Sequence, residues 1–145
     1  MRLLWLSRFA CGVGALVVLS SCGSSAPTSP STQSIAGNWT GAIINTVPAG
    51  QPNGNVVFTL AQTGSNLSGT WSTTYASSPS SNNAGTLTGS LSGSGGTFTL
   101  SPSNPTLCPY SATSTISGNS MTGTFSAFNC TIAIAGSFSV TKRVP

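Results

Sequence analysis

The chain of 145 residues contains no aspartate, no glutamate and no histidine, and it has only four lysine and arginine residues in total. Carboxylates and imidazoles are the usual general acids and bases of enzymes, and they are common ligands of hard metals and zinc. A serine nucleophile would have Lys142 as its base, and no recognisable motif surrounds that residue. The sequence therefore predicts a protein that is not an enzyme, with no catalytic residue, metal site or cofactor.

The few positive charges lie at the two ends of the chain. Arg2 and Arg8 are near the N-terminus, and Lys142 and Arg143 are near the C-terminus. A nucleic-acid-binding surface needs several clustered lysines or arginines to contact phosphates. One terminal pair does not supply such a surface, so we expect no nucleic-acid partner.

The first 22 residues have the layout of an export signal. Arg2 and Arg8 give the first residues a positive charge, and the apolar run "FACGVGALVVL" that follows is too short to span a bilayer comfortably. The stretch "LSSC" then ends at Cys22. This last stretch resembles the bacterial lipobox, in which the signal is cleaved before an obligatory cysteine. The resemblance implies a signal peptide over residues 1–21 and lipid attachment at Cys22. The alternatives are a secretory signal with a chance cysteine and an uncleaved anchor.

The lipobox resemblance also implies a location. Two or more acyl chains anchor a protein stably, so the membrane would be its partner through the N-terminal lipid. In the enteric sorting rule an aspartate after the cysteine favours the inner membrane, whereas Gly23 follows here. We therefore expect a bacterial envelope lipoprotein, lipid-anchored in the outer membrane. Residues 22–35 are rich in serine and proline and are predicted to form a flexible tether.

From residue 36 to residue 145 the apolar residues alternate with polar ones, which is typical of half-buried strands, and no stretch has a helical period. The fold class predicted for this domain is all-β, a small antiparallel up-and-down β-barrel of about eight strands. The strands are predicted at Asn38–Asn45, Asn55–Gln62, Asn66–Tyr75, Thr86–Ser92, Thr97–Leu100, Tyr110–Ser117, Ser120–Phe128 and Thr131–Thr141.

Three two-residue turns align the apolar faces of neighbouring strands, and a one-residue slip would destroy that alignment. The predicted turns are Gly64-Ser65, Ser94-Gly95 and Gly118-Asn119. They place Phe58 opposite Trp71, Leu91 opposite Phe98, and Ile116 opposite Met121. The other connections include "TVPAGQPNG", "ASSPSSNNAG" and "SPSNPTL", so we expect the long loops at one end of the barrel, where function tends to reside.

Glycine recurs at inward positions of the predicted strands, in segments such as "LSGTW" and "MTGTF". Glycine normally weakens a strand, but it also permits the strong coiling that a small barrel needs. The positions are Gly41, Gly69, Gly89, Gly123 and Gly136. If the last hairpin turns at Asn129-Cys130, Gly136 stands beside Gly123. We interpret the glycines as the means of closing the barrel.

The cysteines fit the same layout. The lipobox resemblance assigns Cys11 to the signal and Cys22 to lipid attachment, so Cys108 and Cys130 are left, in a compartment expected to be oxidising. The hairpin at residues 118–119 sets Cys108 opposite Asn129, one residue from Cys130. A disulfide between Cys108 and Cys130 is predicted, in a structural role.

Aromatic side chains at inward positions offer stacking surfaces for apolar or sugar-like ligands. The candidate ligand contacts are Trp39, Trp71, Tyr75 and Tyr110, of which the two tyrosines are predicted nearest the long-loop rim. The alternative is that these aromatics only fill the interior of the barrel.

The segment Gly37-Asn38-Trp39 resembles the Gly-x-Trp start of lipocalins and avidins, and the resemblance implies that Arg143 packs on the tryptophan.

The predicted function is a membrane-anchored, non-enzymatic binding module for a small apolar or sugar-like ligand at the long-loop rim. The alternative is a structural or interaction lipoprotein with a filled barrel, whose loops bind another envelope protein or a polysaccharide. An open cavity favours the first. The sequence does not indicate an oligomeric state.

Overall fold

Eight strands account for most of residues 33–144, the part of the chain that the computed structural model describes. They are β1 (Gly37–Val47), β2 (Gly54–Thr63), β3 (Asn66–Thr74), β4 (Asn83–Ser92), β5 (Gly95–Pro102), β6 (Tyr110–Ser117), β7 (Ser120–Ala127) and β8 (Ala135–Lys142). Each strand pairs antiparallel with the next, and β1 pairs with β8 to close the sheet. The predicted eight-stranded up-and-down barrel is confirmed. The predicted signal, Cys22 and most of the tether lie outside the described residues.

The connections differ in length between the two ends of the barrel. At one end they span residues 48–53, 75–82, 103–109 and 128–134, whereas at the other end they are two residues long. Residues 75–82 include one 3₁₀ turn, Pro79–Ser81. Within the described region no helix is long and apolar enough to cross a membrane. We call the two ends the long-loop end and the tight-turn end.

The three tight turns share one conformation. Each begins with a glycine at positive φ, namely Gly64 at 61°, Gly93 at 60° and Gly118 at 57°. A positive φ at the first central residue alone defines the type II′ turn, which matches the twist of the flanking strands. The predicted registers of the first and third hairpins are confirmed, with Phe58 opposite Trp71 and Ile116 opposite Met121.

The predicted register of the second hairpin is wrong. Its turn is Gly93-Ser94 rather than Ser94-Gly95, so Leu91 pairs with Gly96 and Gly89 pairs with Phe98. The type II′ turn explains the difference, because it requires glycine at its first central position. The shift moves the pairing by two residues and keeps the apolar side chains on the inner face.

The predicted turn at Asn129-Cys130 is also wrong. The last strand begins at Ala135 rather than at Thr131, and Gly123 therefore stands opposite Phe138 instead of Gly136. Residues 128–134 lie outside the ladder and are held against loop 103–109 by the Cys108–Cys130 disulfide and by the hydrogen bond from the Phe128 N–H to the Pro109 carbonyl.

The inward glycines lie where the backbone of a neighbouring strand comes very close. A Cβ atom at Gly41, Gly69 or Gly123 would collide with the carbonyl oxygen of Ser139, Thr59 or Thr113, respectively. Gly89 and Gly136 meet backbone carbonyls in the same way. These contacts agree with the interpretation that glycine permits the coiling of a small closed sheet.

The tight-turn end of the barrel is filled by side chains. Trp39 has no exposed surface, and its indole Nε1 donates a hydrogen bond of 2.8 Å to the carbonyl of Ile35. Ile35 is itself 1% exposed, although the sequence placed it in the tether, so the packed domain includes a residue before position 36. Leu67, Leu91 and other apolar side chains complete this buried layer.

A cation lies beside Trp39, but it is not the one that the resemblance implied. Lys142 Nζ is 5.9 Å from the centre of the indole, within the range of a cation–π contact. The same nitrogen donates to the carbonyl of Ser34 at 3.3 Å. Lys142, rather than Arg143, therefore packs against this tryptophan.

Candidate functional site

The long-loop end of the barrel contains a cavity of about 460 Å³. All four long loops contribute to it, through Pro48 and Pro52, Ser80, Leu107, and Ile132. The strands contribute the deeper walls. Because the tight-turn end is packed with side chains, this cavity is a cup that is closed at its base.

Apolar side chains form the deeper part of the cup. They project from strands on every side of the barrel, as the alternation of inward residues requires. The residues are Ile43, Val56, Phe58, Leu100, Phe125 and Phe138. The rings of Phe58 and Phe138 meet edge to face with centroids 5.4 Å apart, which helps to fix the base of the cup.

Trp71 is held against the wall by its own hydrogen bond. Its Nε1 donates to the backbone carbonyl of Thr86 on β4 at 3.1 Å, and its partner in the ladder is Gly85, which has no side chain. The indole therefore has its polar atom satisfied within the protein. What it offers to the cavity is an apolar ring.

Tyr110 joins two other aromatic residues across the cavity. Its ring lies edge to face with Trp71 at 5.9 Å and with Phe125 at 6.0 Å. Such pairs contribute about 0.5–1.5 kcal/mol beyond the area that they bury. The three rings form a preformed aromatic wall, and the two ring contacts fix their relative orientation.

Polar groups gather at the mouth of the cup. The side-chain oxygen of Asn82 accepts a hydrogen bond from the backbone N–H of Tyr75 at 2.7 Å, and that of Asn83 accepts one from Ala84 at 2.8 Å. These bonds use the amide oxygens, so the NH₂ groups of both asparagines are oriented as donors. The mouth therefore carries amide and phenol groups and no charge.

Burial raises the pKa of Tyr110 above its ordinary value of 10.0, and the neighbouring Tyr75 raises it further. A hydrogen bond with the Asn83 side chain lowers it in part. Tyr110 is therefore a neutral hydroxyl at physiological pH, and it is available as a hydrogen-bond donor or acceptor at the mouth.

The disulfide between Cys108 and Cys130 is present, with the two Cα atoms 5.9 Å apart, as the sequence predicted. It joins loops 103–109 and 128–134, which carry Leu107 and Ile132 of the cavity wall. The Phe128 N–H also donates to the carbonyl of Pro109 at 3.1 Å. This cross-link keeps one side of the mouth in place.

Three of the four candidate contact residues lie together in this site. Trp71, Tyr75 and Tyr110 all line the cavity, whereas Trp39 is buried in the layer at the tight-turn end and does not line it. The sequence analysis missed the loop residues Leu107 and Ile132. Both are large apolar residues in otherwise polar loops, and that contrast is the signal by which they could have been found.

No grouping of histidine, cysteine, aspartate or glutamate in residues 33–144 is able to hold a metal ion. The polar atoms of the site are amides, hydroxyls and backbone carbonyls. The chemistry that this arrangement offers is hydrogen bonding at the mouth and apolar contact below it.

No protein-family model and no curated protein sequence matches this chain. The likeness of Gly37-Asn38-Trp39 to the lipocalin and avidin start stays a resemblance in one motif. The geometry of the cavity therefore carries the functional inference.

Proposed function

We propose that this protein is a lipid-anchored, non-enzymatic binding protein of the bacterial envelope, whose barrel holds a small, mainly apolar ligand at its long-loop end. The observation that carries the proposal is the cavity of about 460 Å³ with its deep apolar wall. Binding sites for small molecules are typically concave, mostly apolar and about 300–1,000 Å³ in volume. A sugar-like ligand fits less well, because most of the wall below the mouth is apolar.

Binding would be driven by removal of apolar surface from water, both on the ligand and on the cup. The aromatic wall of Trp71, Tyr110 and Phe125 is held together by the edge-to-face contacts between its own rings. A preformed site loses little conformational entropy when it is occupied. The disulfide supports the same effect, because it limits the motion of two loops at the mouth.

The described part of the chain begins at the tight-turn end of the barrel, opposite the cavity. The Gln33 side chain donates to the carbonyl of Gly118 in a tight turn at 3.0 Å, so the chain enters at the tight-turn end. With lipid on Cys22, the cavity would face away from the membrane. In that orientation Lys142, at the tight-turn end, would be nearest the membrane, where contact with anionic headgroups would contribute about 1 kcal/mol per charge.

The proposal is tested by blocking the cup with a larger side chain. Ile134 is half-buried at the mouth, and Ile134→Trp should fill much of the entrance. The probe is the neutral fluorophore N-phenyl-1-naphthylamine, added to the chain from residue 22 onward with Cys22→Ser. This chain keeps all eight strands and the whole described core. We expect probe affinity to fall at least about tenfold, because the added indole occupies the space that the probe needs.

The matched control is Ile44→Trp, which adds the same side chain at an exposed position on β1. This variant should bind the probe as the unmodified barrel does. Equal binding by both variants, or no binding by the unmodified barrel, would contradict the proposal.

A second candidate function is an interaction module that binds another envelope protein through the rim. Three large apolar side chains are exposed there, with Leu107 42%, Phe128 38% and Ile132 63% exposed. Native mass spectrometry of the protein isolated from its own envelope separates the two functions. A co-purifying small molecule supports the cavity, and a co-purifying protein supports the rim.

A further inference from the structure

The cavity has no charged side chain in its wall. The chain contains no aspartate, glutamate or histidine, and the two cations of the described region, Lys142 and Arg143, close the last strand at the tight-turn end. Lys142 is held there by the carbonyl of Ser34 and the backbone of Asn119. An ion that enters the cup therefore meets no counter-ion among the described residues that line it.

The polar groups of the cup favour one kind of head group. Asn83, Tyr75 and Tyr110 line the cavity, and their amide and hydroxyl groups are able to donate hydrogen bonds. An alcohol, ketone, ester or ether oxygen accepts such bonds without bringing charge. The head of a ligand would thus be recognised at the mouth, while its apolar part fills the volume above Phe58 and Phe138.

We infer that the cavity selects amphiphiles with an uncharged, oxygen-bearing head and rejects the same apolar body when its head is ionised. The inference rests on the proposed function and adds the class of ligand. A carboxylate or ammonium at the mouth would lose part of its hydration and gain no ion pair in return. Hydrogen bonds from amide and hydroxyl groups replace part of that hydration, but no opposite charge among the described lining residues offsets the rest.

The experiment compares ligands that differ only in the head group. Binding of 1-decanol, decanoate and decyltrimethylammonium to the chain from residue 22 with Cys22→Ser is followed by tryptophan fluorescence, since Trp71 lines the cavity. At about pH 8 decanol should bind at least about 100-fold more tightly than either ion. Similar affinities for all three would overturn the inference of selectivity and leave the proposed cavity standing. Failure of every ligand to bind would overturn both the inference of selectivity and the proposed function of the cavity.

The pH dependence provides an independent readout. A cup that accepts only the neutral acid should bind decanoic acid about tenfold more tightly for each pH unit from about pH 8 to about pH 5.5. Decanol affinity should not change over this range, because no aspartate, glutamate or histidine of the chain titrates in it. A decanoate affinity that is independent of pH would contradict the inference.

A gain of function completes the test. Gln51 is exposed and lines the mouth, so Gln51→Lys adds a cation there without disturbing the core. Decanoate affinity at about pH 8 should rise at least about tenfold, because the carboxylate then has a counter-ion. Ser120→Lys adds the same charge at the tight-turn end and should leave decanoate affinity unchanged. Equal effects of the two variants would overturn the inference.

Discussion

Phe125 on β7 stands directly opposite Gly136 on β8, and its ring occupies the space into which a side chain at position 136 would project. The reverse relationship holds two residues away, where the ring of Phe138 covers Gly123. The two strands thus carry the same Gly-x-Phe segment in opposite directions. Each glycine makes room for the phenylalanine of the other strand, and both rings line the cavity.

Gly136→Ala is expected to destabilise the barrel by about 1–3 kcal/mol. The new Cβ would meet the carbonyl oxygen of Ile44, which is backbone and cannot move aside, as well as the Phe125 ring. Urea unfolding measures the loss. Displacement of the ring into the cup should also weaken binding of N-phenyl-1-naphthylamine.

Gly95→Ala is the control for that substitution. Gly95 also lies in a strand, but a Cβ there would come no closer than 3.4 Å to another atom, the carbonyl oxygen of Ser92. The stability of the Gly95→Ala variant should equal or slightly exceed that of the unmodified barrel, because an unfolded chain with alanine loses less conformational entropy on folding than one with glycine. A large loss at position 95, or none at position 136, would contradict the packing argument.

Removal of the disulfide by Cys108→Ser with Cys130→Ser should lower the free energy of unfolding by about 3 kcal/mol. The two cysteines are 22 residues apart, and the cross-link restricts the unfolded chain over that loop. The measurement is urea unfolding with and without dithiothreitol. The reductant should destabilise the unmodified barrel and leave the double variant unaffected; equal sensitivity of both would contradict the prediction.

Ser114→Ala is expected to stabilise the barrel by about 1 kcal/mol. The Ser114 hydroxyl oxygen is buried on β6 and has no hydrogen-bond partner among the described residues. Its ladder partners are Gly96 and Gly123, which have no side chain that could bond to the hydroxyl. Thermal unfolding measures the change. Ser111→Ala removes an exposed hydroxyl from the same strand and should change stability little; a destabilised Ser114→Ala would show that the hydroxyl has a partner.

The stability of the barrel should be nearly constant between about pH 4 and pH 8 and should fall above about pH 10. The first part follows because the chain has no aspartate, glutamate or histidine to titrate. The alkaline loss follows from Tyr110, because the pKa of its hydroxyl is raised in the folded state above the ordinary value of 10.0. The stabilisation that comes from this difference is complete below pH 10.0. That contribution is lost as the pH rises through the higher folded-state pKa.

Urea unfolding at a series of pH values measures this profile. Tyr110→Phe removes the titrating group from the folded and the unfolded state alike, so the alkaline loss should be smaller in that variant. A steep decrease in stability below pH 7, or an unchanged alkaline loss in Tyr110→Phe, would contradict the prediction.

The hairpin turns show which registers a local sequence pattern is able to predict. The predictions of the turns at Gly64 and Gly118 are confirmed because the alternation of the strands and the requirement for glycine in the turn agree at those positions. The turn near Gly93 is different, since the neighbouring segment "SGSGG" offers two registers that differ by two residues. Both registers keep the apolar side chains inside, so alternation alone does not separate them.

The last strand shows a second limit. Its inward positions, including Phe138 and Val140, follow from alternation, but its start does not. Residues 128–134 stay outside the ladder, and Cys130 among them is bonded to Cys108 of another loop. The sequence predicts that disulfide, but the path of the chain between Phe128 and Ala135 depends on contacts between two different loops, which no local pattern contains.

The sequence by itself determined the strands, their inward faces, the end at which the long loops lie and the absence of acidic and imidazole groups. These features depend on residue type and on a period of two residues, both of which are local. Only the tertiary structure decided that Trp39 fills the base of the barrel while Trp71 and Tyr110 line its cavity. The depth of a side chain within the barrel depends on the pairing registers of all eight strands and on closure between β1 and β8. No single segment of the chain contains that information.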